Sequence, residues 1–114
     1  MAALPYPKNA NLGEDLDIIV LREGGAIELA NRTALAYQDH YLWLNREYVA
    51  LIGQIRIGTD NRYELARFID RHQESYPVGT FLTPDKTRPL VSADLFNPTT
   101  GQRHRLVVRT SGGM

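Results

Sequence analysis

Four large apolar side chains follow one another at Tyr41-Leu42-Trp43-Leu44, and this run limits the possible folds more than any other feature of the chain. Along an extended strand successive side chains leave opposite faces, so a strand here must place apolar groups on both of its sides. A helical reading competes: Ala34, Tyr37, Tyr41, Leu44, Tyr48 and Leu51 keep spacings of three and four, with Thr33 placed to cap the start and Gly53 to end it. That helix would lack a polar face, because Leu42, Trp43, Val49 and Ala50 occupy it. The aromatic residues at 37, 41, 43 and 48, with Val49, Ile52, Ile55 and Ile57, suit a pleated surface better. The preferred reading is a hairpin of Asp39–Asn45 with Tyr48–Ile57, turning at Asn45-Arg46-Glu47, with Gly53 a candidate bulge.

From that hairpin comes the main functional expectation. If Tyr41 and Trp43 face the core, Leu42 and Leu44 face outward and need a cover. A second copy, another subunit or the chain's own N-terminal arm would serve, and burying two leucines contributes roughly 3 to 5 kcal/mol. The candidate interaction surface is therefore Leu42 and Leu44 together with the rings of Tyr37, Tyr41, Trp43 and Tyr48. On an exposed face those rings would instead stack on sugars, which makes a carbohydrate-binding module the alternative to a protein-interaction or structural module.

The rest of the chain reads mainly as strands. Leu16–Leu21 and Ala26–Ala30 flank Glu23-Gly24-Gly25, and the second alternates Ile27 and Leu29 with Glu28. After a turn at Gly58-Thr59-Asp60-Asn61 and a short strand at Arg62–Leu65, Leu65, Phe68 and Ile69 have helical spacing. One short helix is expected near residues 64–72, stopped before Pro77. An irregular section runs from Pro77-Val78-Gly79 through Pro84-Asp85-Lys86 to Pro89. Leu90–Phe96 and Arg103–Thr110 form a second hairpin around Asn97-Pro98-Thr99-Thr100-Gly101-Gln102, with Leu106 and Val108 inward. Residues 1–13 are an extended arm, 14–110 a single domain of about seven strands and 111–114 a flexible tail. The expected fold is a mainly β, antiparallel β-sandwich.

Asn31-x-Thr33, Trp43-Leu44-Asn45-x-x-Tyr48, Ile57-Gly58, Leu65-x-x-Phe68 and Tyr76-Pro77-x-Gly79 together resemble small uncharacterised bacterial proteins of immunoglobulin-like or fibronectin-III-like aspect, over about residues 26–110. The resemblance implies a fold and brings no catalytic residues. Both cysteines of antibody domains are absent.

Composition narrows the function classes. Thirteen basic residues balance thirteen acidic ones, which leaves no global electrostatic footprint for nucleic acid or an anionic membrane. Without cysteine there is no thiolate nucleophile, thiolate metal ligand or disulfide. His40, His72 and His104 lack the short spacing of a ligand pair, Ser75, Ser92 and Ser111 sit in no nucleophile elbow, and Glu23-Gly24-Gly25-Ala26 is no phosphate loop. Asp39 and His40 would point to opposite faces of a strand. Asn31-Arg32-Thr33 fits a glycosylation sequon that matters only in a secretory compartment. The expectation is a non-enzymatic protein without metal or cofactor. Lacking a recognisable leader or spanning segment, it is expected in the cytoplasm, in an assembly or as a homodimer, with no membrane insertion.

Overall fold

The computed structural model describes residues 4–78 and 88–110; the first three residues of the arm, residues 79–87 of the irregular section and the expected tail at 111–114, with Ser111, fall outside these. The described residues are mainly β, in two mixed sheets. The strands are β1 (Asn11–Leu12), β2 (Ile18–Glu23), β3 (Ala26–Asn31), β4 (Tyr37–Leu44), β5 (Tyr48–Ile55), β6 (Arg62–Glu64), β7 (Ala93–Asn97), β8 (Gln102–Arg105) and β9 (Val107–Thr110). One sheet has the order β1-β8-β7-β4-β5, the other β6-β3-β2-β9.

Alternation builds the core between them. Ile18 and Val20 of β2 and Ile27 and Leu29 of β3 are buried in one cluster with Leu42, Leu44, Ile52 and Leu95 of the larger sheet. In the β2–β3 hairpin Glu23 pairs with Ala26 across Gly24, whose φ of 63° is open to glycine at little cost. The β4–β5 hairpin turns on Asn45 and Arg46, both left-handed, with Glu47 N–H donating to the Leu44 carbonyl at 3.1 Å. This is the twist that a tight hairpin favours. Asp39, at φ 56°, stands where the β4–β5 ladder is interrupted opposite Gly53. The phase of burial changes there, so that Ile52 and Ile55, three apart, are both buried.

Four expectations are corrected. The sheets are not purely antiparallel, since β1 runs parallel to β8 and β9 parallel to β2. The strand expected over Arg103–Thr110 breaks at Leu106, whose N–H donates to the Ala93 carbonyl. Before the break β8 pairs with β7, and after it β9 joins the other sheet. The expected helix at 64–72 is only a 3-10 turn at Leu65–Arg67. Beyond it Ile69 exchanges both backbone hydrogen bonds with Val49, Tyr76 N–H donates to the Phe68 carbonyl, and the Asp70 carboxylate accepts the His72 and Glu74 N–H groups. Those bonds keep Phe68 and Ile69 extended, close a turn over 70–74 and leave no intrahelical ladder to form. Nine strands, in place of about seven, are present among the described residues.

Candidate functional site

Register decides which side of the Tyr41–Leu44 run meets the core. Leu42 pairs with Leu95 and Ala50, and Leu44 with Ala93 and Tyr48, so both leucines lie between the sheets and are fully buried. Trp43 and Tyr41 take the outer face, the reverse of the facing on which the outward Leu42 and Leu44 surface depends. With apolar groups on both faces of one strand, alternation gives no preference, and the inward-facing Ala93 and Leu95 of the neighbouring strand set the parity.

Trp43 is nevertheless only 3% exposed, because the N-terminal arm lies over it. The Tyr6 ring meets the Trp43 ring edge-on at 5.4 Å, and its hydroxyl donates to Asp94 Oδ2 at 3.0 Å. Asp94 is the outward cross-strand neighbour of Trp43, and its other oxygen accepts from Arg103 Nη1 at 3.3 Å. The guanidinium groups of Arg103 and Arg46 lie 5.4 and 6.0 Å from the Tyr6 ring centre. Burial, followed by the neighbouring Asp94 carboxylate, raises the Tyr6 phenol above its ordinary pKa. The arm continues through β1, and just beyond it Gly13 packs so close to the His104 imidazole that an added Cβ would stand 2.4 Å from it.

The remaining rings do not share one open face. Tyr48 belongs to the core, tilted against Tyr76 at 4.9 Å. Tyr37 packs against the core from the start of β4, with His40 edge-on to it. Tyr41 alone stays on the outer face with part of its ring exposed. A flat sugar-stacking platform of Tyr37, Tyr41, Trp43 and Tyr48 is therefore not assembled, with Trp43 already covered by Tyr6.

What the outer face does present is a row crossing the sheet: Leu51 beside Tyr41, Tyr41 beside Phe96, Phe96 beside Arg103, and Arg103 beside Leu12. Leu51 is 47% exposed and Leu12 50%. Leu51 also stands on the edge strand β5. At its start β5 is protected by the bridge from Val49 to Ile69, and no described residue pairs with it over 50–53 on that side. From Tyr48 to Ile55 the strand contains no charge and no proline, the devices that usually blunt an edge.

At the tip of the β4–β5 hairpin a groove of about 690 Å³ opens between the arm and the 69–72 turn. Leu4, Pro5, Tyr6 and Trp43 contribute its apolar lining, and Lys8, Arg46 and Arg71 its cationic groups, with the His72 imidazole beside them. Its two carboxylates are both engaged. Glu47 is held by Arg88, and that hydrogen bond raises the Arg88 pKa further above its ordinary value. Asp70 is held below the usual carboxylate range, chiefly by the backbone N–H of Glu74. No group of three or more metal-binding side chains occurs among the described residues, and none of their helices is long and apolar enough to cross a membrane.

Sequence reasoning placed the apolar surplus on the right strand but missed Tyr6 and the groove. The signal for Tyr6 was slight: one aromatic between two prolines in a segment without period. No protein-family model, curated protein or solved structure matches the chain.

Proposed function

We propose that this chain is a β-sandwich interaction module of immunoglobulin-like kind that associates with a second copy of itself through the free edge of β5 and the adjoining outer face. The observation that carries this reading is Leu51, a half-exposed leucine on an uncharged edge strand. Such an edge offers unpaired backbone donors and acceptors to another strand. A second copy brings the same neutral strand, so approach meets no like-charge repulsion along β5, and a twofold arrangement is self-complementary. Tyr41 and Phe96 extend the apolar contact inward from the edge. Leu42 and Leu44 take no part in it, being enclosed between the sheets.

Light scattering coupled to size exclusion tests the proposal. A dimer at micromolar concentration is expected, and Leu51→Lys should weaken it at least tenfold, since a lysine on an edge opposes strand pairing. A parent protein that stays monomeric into the hundreds of micromolar, or a Leu51→Lys variant that dimerises like the parent, would refute it.

A further inference from the structure

We propose that the groove between the N-terminal arm and the hairpin tip binds a small organic phosphate, its phosphate between Lys8, Arg46 and Arg71 and its apolar portion against the Leu4–Tyr6 side. The charge count leads to this class of ligand. Lys8, Arg46 and Arg71 line the groove, and none stands within ion-pair distance of a described carboxylate. Glu47 is neutralised by Arg88. Asp70, already accepting two backbone N–H groups, remains as the one carboxylate facing the cations. Three cations against one carboxylate leave an excess of two positive charges, which matches a phosphate monoester at neutral pH, about −1.5 to −2.

Shape and chemistry agree with that count. About 690 Å³ falls within the range of small-molecule sites and exceeds what a bare phosphate fills. The apolar wall gives the rest of the ligand a surface, and guanidinium groups are suited to phosphate oxygens. Arg46 is held over the Tyr6 ring, which limits the freedom it would lose on binding. This site is separate from self-association at β5. It uses the hairpin tip and the arm, not the strand edge.

Calorimetric titration of the full chain with adenosine 5′-monophosphate, adenosine and inorganic phosphate, at low and at physiological salt, provides the test. The nucleotide is the probe for a phosphate carrying a ring. It should bind saturably, at least tenfold tighter than either adenosine or inorganic phosphate, and more weakly as salt rises. The double variant Lys8→Gln/Arg71→Gln touches neither Tyr6 nor Trp43 in any ring contact, and it should lose at least tenfold in affinity with the Trp43 emission unchanged. Arg56→Gln, in the separate hollow beside Asp60, should bind as the parent does. The proposal is overturned if the nucleotide does not saturate by millimolar concentration or if adenosine or phosphate alone binds as well. It is equally overturned if the double variant keeps its affinity, or if Arg56→Gln loses as much.

Discussion

Replacing Tyr6 by phenylalanine removes one oxygen from the arm and leaves its ring in place. In the parent that oxygen donates to Asp94 Oδ2 at 3.0 Å, and the Asp94 side chain is only 5% exposed. A hydrogen bond to a charged acceptor contributes about 1.5 to 3 kcal/mol. Because Arg103 still compensates Asp94 at 3.3 Å, the lower end applies, and Tyr6→Phe should cost about 1.5 kcal/mol. For a domain of this length that is roughly 4 to 8 °C in Tm. Tyr6→Ala also uncovers Trp43 and gives up the edge-on ring pair, itself about 0.5 to 1.5 kcal/mol, so its total should reach about 3 to 4 kcal/mol. Urea unfolding followed by the single tryptophan reads both, since Trp43 emission should shift red in Tyr6→Ala and stay put in Tyr6→Phe. A double-mutant cycle of Tyr6→Phe with Asp94→Asn isolates the pair. A coupling below about 0.5 kcal/mol, or a Tyr6→Ala protein with unaltered Trp43 emission, would refute the view that the arm is fastened here.

The same contact predicts a pH limit. A phenol whose pKa is raised in the folded state adds stability that is complete below its unfolded value, near 10, and is lost as pH rises through the folded value. Loss of the arm's hold on Trp43 above about pH 10 should therefore be visible in the parent's fluorescence and flattened in Tyr6→Phe. At the hairpin, Asn45 accepts the Val91 and Ser92 N–H groups, donates to the Pro89 carbonyl at 2.9 Å, and has φ 55°. Asn45→Ala removes these bonds and puts a less tolerant residue in a left-handed position. It should cost about 2 to 3 kcal/mol by chemical denaturation, whereas a loss under 1 kcal/mol would mean that the 88–92 segment holds itself in place.

Local pattern carried the hairpins. Ile27, Glu28 and Leu29 alternate cleanly, and glycines mark the turn before them, so β2 and β3 were legible. The Tyr41–Leu44 strand was legible as a strand, but its facing was not: period two says which residues are together, and only a neighbour with one apolar side says where they go. The helix expected at 64–72 failed for a related reason. Leu65, Phe68 and Ile69 have helical spacing, yet Ile69 and Phe68 gain more by bonding to Val49 and Tyr76 than a two-turn helix could provide alone. Parallel pairing of β9 with β2, and of β1 with β8, joins segments from opposite ends of the chain. No local signal announces such partners. The groove escaped notice for the same reason, because Lys8, Arg46 and Arg71 are far apart in sequence and line one groove only in the folded chain.

The pairing of Ile19 with Val107 and of Val20 with Val108 bears on biosynthesis. β2 acquires this neighbour only after the whole stretch between Glu23 and Val107 has been made, so one of its edges must wait unpaired until then. Closing so large a loop is entropically slow. Nascent chains stalled before residue 107 should thus remain sensitive to protease, because the smaller sheet lacks β9 until then.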